Sequence, residues 1–251
     1  MTILITGGGR GIGRAIALAF AERGNFVAIA ARTRAELEDT ASAIRSRGAQ
    51  ALVLVVDITD ERAVAQAFET FRVASPTLDV LVNNAGIGGG QTLDQTDTAS
   101  WKRVIDTNVW GTFLVSRQAV PLLADKGRII NMSSVLGRFG VPGYTAYCAS
   151  KHAIIGFTRA LSLEVAGRGI TVNALCPGWV ETEMAEQGMR LGASAAGITT
   201  EQFRAQAMER VPIGRMIQPD EVAALIRFLA SPEASAITGQ TYNICGGQTM
   251  D

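Results

Sequence analysis

The sequence has few of the residues on which several common kinds of active site depend. Its 251 residues include one histidine, His152, and three widely spaced cysteines, Cys148, Cys176 and Cys245. No cysteine pair has metal-ligand spacing and an odd number does not indicate a disulfide framework, so we predict no metal site and buried, apolar thiols. A serine-hydrolase triad would need His152 as its base and a Gly-x-Ser-x-Gly elbow, which the sequence does not contain. We expect His152 to be a packing or interface residue.

An excess of charge of one sign and long apolar runs are also missing. Lys plus Arg and Asp plus Glu both number 23, which argues against a nucleic-acid or anionic-membrane partner. No apolar run approaches the ~20 residues that span a bilayer. The N-terminus enters an apolar segment directly, without the basic region or cleavage site of a signal peptide. We therefore predict a soluble, cytoplasmic protein.

Short β-branched apolar runs alternate with longer amphipathic stretches along the whole chain. Strands too apolar to alternate are covered on both faces, as in parallel sheets. The alternation predicts strands at 3–6, 26–31, 51–57, 78–83, 127–133, 170–175 and 241–244, and helices at 11–23, 34–47, 60–74, 98–124, 146–166 and 219–230. We expect a single doubly wound α/β domain of the Rossmann type over residues 1–251, with a central parallel sheet flanked by helices. Residues 181–216 interrupt the rhythm, and we interpret them as a helical substrate lid.

A glycine-rich turn, Thr-Gly-Gly-Gly-Arg-Gly-Ile-Gly, follows the first predicted strand and opens the first helix. Gly7 allows the tight turn, Gly11 lets the backbone approach a pyrophosphate, and Gly13 permits close packing of helix and strand. The helix N-terminus supplies unpaired N–H donors for phosphates. Because the turn lies inside a βαβ unit, it predicts a dinucleotide site.

The end of the second predicted strand indicates which dinucleotide is bound. NAD specificity usually comes from an acidic residue there, but the sequence has Ala30-Ala31-Arg32-Thr33. An arginine suits a 2′-phosphate because its guanidinium makes charge-assisted, often bidentate bonds. We predict that Arg10, within the glycine turn, and Arg32 clamp the 2′-phosphate of NADP(H).

Tyr147 and Lys151 are four residues apart on a predicted helix and so share one face. A free tyrosine has a pKa of ~10, and a nearby ammonium lowers that pKa by stabilising the phenolate. Tyr147 is therefore a candidate general acid for a ketone oxygen that gains negative charge. Hydride would come from the cofactor.

The order and spacing of these motifs resemble the classical short-chain dehydrogenase/reductase family over nearly the whole chain. Asn108, Ser134, Tyr147 and Lys151 match the family's catalytic tetrad. The resemblance implies that Ser134 bonds the substrate oxygen, Asn108 holds a water and Lys151 bonds the nicotinamide ribose. It implies that NADP(H) is bound by Gly7, Gly9, Arg10, Gly11, Ile12, Gly13, Arg32, Thr33, Asp57, Ile58, Asn84, Ala85, Gly86, Tyr147, Lys151, Pro177, Gly178, Val180 and Thr182. It also implies a homotetramer or homodimer, with helices 98–124 and 146–166 at one interface and the C-terminal segment at another.

Within that family the chain is most similar to 3-oxoacyl carrier-protein reductases and aromatic polyketide ketoreductases. The similarity lies in residues 147–152, residues 176–182, the lid and the tract Gly88-Gly89-Gly90. Met184, Met189 and Met216 fit an adaptable apolar pocket, although lid methionines can equally be ordinary packing. The resemblance implies NADPH-dependent reduction of a 3-ketoacyl thioester or a polyketide-like β-keto substrate.

One departure leaves the substrate open. Carrier-protein reductases dock their acidic partner with two arginines, and the chain has Arg168 at one of these positions but Asp125 at the other. An acidic partner would be repelled by Asp125, which makes a coenzyme A thioester or a free ketone more credible. The alternatives are a broad secondary-alcohol, cyclic-ketone or hydroxysteroid-type dehydrogenase and, in another class, an inactive nucleotide-binding sensor, against which the complete tetrad argues.

Overall fold

Parallel strands form one sheet at the centre of the fold, as the alternation of apolar runs predicts. The computed structural model describes residues 1–250. Within them the strands are β1 (Thr2–Thr6), β2 (Phe26–Ala31), β3 (Gln50–Val55), β4 (Leu78–Asn83), β5 (Leu123–Met132), β6 (Thr171–Pro177) and β7 (Thr241–Ile244). Their order in the sheet is β3-β2-β1-β4-β5-β6-β7, with every pair parallel. The order reverses between β1 and β4, which opens a crevice at the carboxyl ends of these strands.

Helices cover both faces of the sheet. They are α1 (Gly11–Ala19), α2 (Arg34–Ser46), α3 (Glu61–Ala74), α4 (Thr98–Ile105), α5 (Gly111–Ala119), α6 (Thr145–Val165), α7 (Glu183–Ala196), α8 (Thr200–Glu209) and α9 (Pro219–Ala230). Successive side chains of β1 point to opposite faces. Ile3 and Ile5 join the apolar cluster beneath α1, α2 and α9, whereas Leu4 joins the cluster beneath α3, α5 and α6. The sequence therefore reads as continuously apolar in this strand because both faces are buried.

Two predicted helices differ from those in the structure. The helix expected over residues 98–124 is interrupted by a π-helical segment at Asp106–Trp110 and ends at Ala119. Pro121 explains that end, since proline cannot continue a helix and restricts the residue before it. The first helix ends at Ala19 rather than at residue 23, and the Asn25 amide donates to the Phe20 carbonyl at 3.0 Å just beyond that end.

The segment predicted as a helical lid contains α7 and α8, which form a hairpin. The helices pack closely at Gly192, where an added Cβ would lie 2.3 Å from the Phe203 ring. An ion pair between Glu186 and Arg204 joins them. Backbone hydrogen bonds from Glu181 to Ile217 and from Ile217 to Trp179 close the base of the segment. Within residues 1–250, none of the helices is long and apolar enough to cross a membrane.

Candidate active site

The glycine turn forms a cradle at the carboxyl end of β1. Gly7 has φ +67° and Gly11 has φ +52°, backbone conformations that favour glycine. An added Cβ at Gly13 would lie 2.0 Å from the Gly7 carbonyl oxygen, so only glycine lets α1 approach the turn this closely. Helix α1 has no side-chain cap at its N-terminus, which leaves its first N–H groups to bind a ligand. The cradle thus fits the pyrophosphate of a dinucleotide.

The second strand of the crevice is tied to this turn through Thr6 and Asn84. The Thr6 hydroxyl accepts hydrogen bonds from the backbone N–H groups of Asn84 and Ala85, both at 3.0 Å. The Asn84 amide donates to the carbonyls of Thr6 at 3.0 Å and Gly7 at 3.3 Å. Asn84 and Ala85 therefore lie beside the cradle, and Gly86 follows them in the chain.

The predicted 2′-phosphate ligands lie on the exposed rim of the crevice. The Arg10 side chain is ion-paired with Glu183 of α7 and lies 3.9 Å from the Glu36 carboxylate. Arg32 lies 3.8 Å from the Asp57 carboxylate. Both guanidinium groups are exposed, and Thr33 is exposed beside Arg32.

Asp57 and Ile58 follow the third strand at the same rim. The Asp57 carboxylate accepts hydrogen bonds from the Thr59 N–H at 2.9 Å and the Thr59 hydroxyl at 2.8 Å. Ile58 is buried, and an added Cβ at Gly111 would lie 2.6 Å from its side chain. The Asp57 side chain is half-buried, and its Oδ1 atom accepts both of these hydrogen bonds.

Tyr147, Lys151 and Ser134 meet at the carboxyl ends of β5 and β6. Tyr147 and Lys151 lie one turn apart on α6, with the Lys151 ammonium 5.5 Å from the centre of the Tyr147 ring. The Lys151 ammonium also donates to the Met132 carbonyl at 2.8 Å. Ser134 lies beside Tyr147 and lowers the pKa of its phenol, and the Ser134 hydroxyl accepts from the Leu136 N–H at 3.2 Å. The neighbouring Ser133 instead donates to the Lys151 carbonyl at 2.8 Å, which leaves Ser134 as the serine that faces the tyrosine.

Burial sets the protonation of this pair. It raises the pKa of Tyr147 to about 12, against a smaller lowering by the hydrogen bond with Ser134. It lowers the pKa of Lys151 to about 8. The prediction that the pKa of Tyr147 is lowered is wrong, because burial raises it. The Lys151 ammonium donates to the Met132 carbonyl, and desolvation of the phenol sets the direction in which the pKa of Tyr147 shifts. Tyr147 is thus held protonated, in the form that an acid requires.

Asn108 lies in the π-helical segment that divides α4 from α5, and it is 1% exposed. Its side chain accepts from the Ile87 N–H at 2.9 Å, donates to the Ile87 carbonyl at 3.0 Å and donates to the Ser150 hydroxyl at 3.0 Å. Ser150 in turn donates to the Tyr147 carbonyl at 2.8 Å. These bonds link the asparagine to α6, close to Gly86, where an added Cβ would lie 3.1 Å from the Asn108 oxygen and 3.5 Å from the Lys151 nitrogen.

The loop after β6 closes the opposite side of the crevice. Pro177 ends the strand, and an added Cβ at Gly178 would lie 2.9 Å from Cys245. Val180 is buried and pairs with Ile217, and Thr182 caps α7 through the Ala185 N–H at 3.3 Å. The Thr182 methyl would lie 3.4 Å from a Cβ at Gly11. The loop therefore stands directly across from the glycine turn.

The glycine tract after β4 lies between two large side chains. An added Cβ at Gly90 would lie 2.8 Å from the Tyr144 ring, and one at Gly88 would lie 4.0 Å from the Met184 side chain. Met184 is exposed, whereas Met189 and Met216 are buried in packing. Only Met184 of the three predicted pocket methionines therefore faces open space.

A chain of buried polar side chains beneath the site was not predicted from the sequence. The Asn83 amide donates to the Ser116 hydroxyl at 2.9 Å and to the Asn131 oxygen at 2.8 Å. The Asn131 amide donates to the Thr158 hydroxyl at 2.9 Å. The chain crosses β4 and β5 and joins α5 to α6, the helices that carry the site. The position of the two asparagines among apolar neighbours in these strands was the available signal.

The remaining cysteine, histidine and arginine predictions have mixed outcomes. Cys176 and Cys245 are buried as expected, but Cys148 is half-buried. His152 is exposed and its Nδ1 lies 2.9 Å from the Cys148 carbonyl. Arg168 is ion-paired with Asp125 at 3.1 Å and donates to the Val120 carbonyl at 2.9 Å. Arg168 therefore has partners within the chain, a carboxylate and a backbone carbonyl.

Comparison with known proteins agrees with this geometry. Residues 7–249 match a family model described as enoyl-(acyl carrier protein) reductase. A putative ketoacyl reductase of the monensin polyketide synthase from Streptomyces virginiae is 43% identical over 97% of this chain and 95% of its own length. A 3-oxoacyl-[acyl-carrier-protein] reductase from Synechocystis is 38% identical over 98% of this chain and 96% of its own. The crystal structure of a single-substitution variant of actinorhodin polyketide ketoreductase with NADPH superposes with a TM-score of 0.92 at 37% identity, covering 98% of this chain and 96% of that one.

Proposed function

The chain belongs to the short-chain dehydrogenase/reductase family, and from that premise we propose that it reduces a ketone to a secondary alcohol with NADPH. Its substrate on this proposal is a 3-ketoacyl thioester or a polyketide-like β-keto compound. The observation that carries the proposal is the convergence of Ser134, Tyr147, Lys151 and Asn108 beside the glycine cradle. A serine, a protonated phenol and an ammonium can together stabilise a ketone oxygen as negative charge develops on it.

The residues divide the work by their chemistry. NADPH, when bound, would supply a hydride for the carbonyl carbon. Tyr147, which burial keeps protonated, donates its phenolic proton to the oxygen. Ser134 holds the same oxygen by a second hydrogen bond. Lys151 compensates the negative charge left on the Tyr147 oxygen after the transfer.

After each turnover Tyr147 must regain its proton, through Lys151, from solvent. Asn108 is fixed by the Ile87 backbone and Ser150, and Ser150 also bonds the Tyr147 carbonyl. We assign Asn108 the binding of a water between Lys151 and solvent, with Ser150 as a positioning residue for it. A catalytically inactive nucleotide-binding sensor would not need this network, so the network argues against the sensor alternative.

The cofactor preference rests on charge at the rim. Arg10 and Arg32 are exposed near the end of the second strand. That strand has no carboxylate that could accept hydrogen bonds from the ribose hydroxyls. We assign both guanidinium groups to the 2′-phosphate. We assign the pyrophosphate to the glycine turn, which contains Gly7, Gly9, Gly11, Ile12 and Gly13. We assign the nicotinamide to the loop after β6, which contains Pro177, Gly178, Val180 and Thr182.

The substrate could reach the enzyme on a carrier protein, or as a coenzyme A thioester or a free ketone. Arg168 is paired with Asp125 and with backbone carbonyls, so it offers little charge to an acidic carrier protein. That pairing favours a coenzyme A thioester or a free ketone, including the cyclic ketones of secondary-alcohol dehydrogenases.

We also propose that the enzyme works in the cytoplasm as a homotetramer or a homodimer. Three unpaired cysteines fit a reducing compartment. Trp110, which ends the π-helical segment, and Phe113 of α5 are in contact, with ring centres 5.2 Å apart and a tilt of 31° between the rings, and Trp110 is 42% exposed. An exposed tryptophan of this kind is typical of a surface that packs against a second subunit.

Oxidation of NADPH by the purified protein over a ketone panel tests the proposed function. The panel contains acetoacetyl-CoA, a β-keto thioester on a pantetheine arm, a bicyclic ketone and a simple cyclic ketone, each run with NADPH and with NADH. Turnover of the thioesters with NADPH is the expected result. Turnover of the free ketones alone would move the protein to the alcohol-dehydrogenase class, and a clear preference for NADH would contradict the roles of Arg10 and Arg32.

A further inference from the structure

Arg10 has partners in two separate parts of the chain. It occupies the N-cap of α1, and its backbone is extended there. Its guanidinium forms an ion pair with Glu183, 173 residues away, and lies 3.9 Å from Glu36 at the start of α2. The arginine assigned to the 2′-phosphate is therefore occupied by carboxylates of the protein.

Glu183 reaches Arg10 because the base of the lid lies over the glycine turn. It is the first residue of α7 and follows the N-cap Thr182, whose methyl would lie 3.4 Å from a Cβ at Gly11. The Arg10 and Glu183 side chains are 65% and 71% exposed. Since exposed ion pairs are weak and exchange readily, a stronger anion can take the guanidinium from the carboxylate.

We propose that Glu183 competes with the 2′-phosphate of the cofactor for Arg10 and is thereby a determinant of cofactor specificity. The inference rests on the proposed function, which assigns Arg10 to that phosphate. A phosphate bound at Arg10 displaces the Glu183 carboxylate and is repelled by it at short range. NADH has no 2′-phosphate, so its affinity does not depend on Glu183. The lid residue thus reduces the preference for NADPH that the two arginines create.

Replacing the Glu183 carboxylate by a neutral amide tests the competition. Helix α7 also provides a matched control. Glu186 lies in the same first turn, but its carboxylate pairs with Arg204 instead of Arg10. Glu183→Gln and Glu186→Gln make the same chemical change and remove the same net charge. Dissociation constants for NADPH and NADH are measured by the fluorescence of the reduced cofactor at low ionic strength, where exposed charges are least screened.

Glu183→Gln is expected to lower the Kd for NADPH by about two- to fivefold, the size expected for one exposed ion pair, and to leave the Kd for NADH unchanged. Glu186→Gln should leave the ratio of the two constants unchanged. Two results would overturn the competition: an unchanged ratio in Glu183→Gln, or the same shift of that ratio in both variants.

Arg10→Ala separates this inference from the proposed function. If Arg10→Ala weakens NADPH but not NADH while Glu183→Gln changes neither ratio, the competition is wrong and the assignment of Arg10 stands. If Arg10→Ala leaves the ratio of the two constants unchanged, the assignment of Arg10 to the 2′-phosphate fails and the competition fails with it.

Discussion

Replacing Gly13 by alanine should damage the fold and the cofactor site together. The added Cβ would lie 2.0 Å from the Gly7 carbonyl oxygen, 2.6 Å from the Asn84 amide nitrogen and 2.7 Å from the Gly7 carbonyl carbon. Two of these neighbours are backbone atoms. The Gly7 carbonyl is itself held by the Asn84 amide. Neither neighbour can give way without moving the β1–α1 turn.

The expected cost follows from that overlap. Overpacking a tight site costs about 1–3 kcal/mol, and we expect the upper end because the clash is with backbone. For a chain of this size, about 3 kcal/mol corresponds to a Tm lower by roughly 6–12 °C. The moved turn also displaces the free N–H groups of α1, so NADPH affinity should fall at least about tenfold, since one charge-assisted hydrogen bond to phosphate is worth ~1.5–3 kcal/mol.

Thermal unfolding with and without NADPH measures both effects in one experiment. Gly140→Ala is the matched control, since an added Cβ there meets no atom within 4 Å, and surface substitutions of this kind usually change the free energy of unfolding by no more than about 0.5 kcal/mol. A Gly13→Ala protein that keeps the wild-type Tm and the wild-type stabilisation by NADPH would show that the turn does not depend on glycine at this position.

Two further predictions concern the chemistry and the substrate. Because burial holds the pKa of Tyr147 at about 12 and that of Lys151 at about 8, kcat/KM for ketone reduction should be level below pH 8 and fall above it as Lys151 loses its charge; a level profile from pH 7 to 10 would contradict the role of Lys151. Asp125→Arg breaks the ion pair with Arg168 and should lower KM for a carrier-protein-bound β-ketoacyl substrate by several-fold while leaving acetoacetyl-CoA unchanged, because acidic partners respond to rim charge; equal KM values for the carrier-bound substrate in both proteins would show that this face does not meet a carrier.

The fold was predictable because the central strands, such as β1, β4 and β6, are buried on both faces. Apolar runs such as β1 and β4 stand out from amphipathic stretches, and their order defines the parallel sheet. The ends of the helices were less predictable. Pro121 marked the end of α5, but the amphipathic pattern continues past it. The π-helical segment around Asn108 depends on long-range contacts with Ile87 and Ser150, which periodicity does not encode.

The candidate site was predictable where spacing along one element fixes proximity. Tyr147 and Lys151 are one helical turn apart, and Gly7 and Gly13 share one turn. The pKa of Tyr147 was predicted with the wrong sign, because it depends on how deeply the phenol is buried and on the bond from Lys151 to Met132. The contact between Arg10 and Glu183 joins residues 173 positions apart, and no local pattern links them.

The proposed function depends above all on one step, the protonation of a ketone oxygen by Tyr147 during NADPH-dependent reduction. Wild type and Tyr147→Phe should be compared in NADPH oxidation by acetoacetyl-CoA, with NADPH affinity measured on both proteins. We expect a loss of kcat of at least about 10²-fold, the scale of general acid catalysis, with the NADPH Kd nearly unchanged. Turnover by Tyr147→Phe close to the wild-type rate would remove Tyr147 from the role of acid.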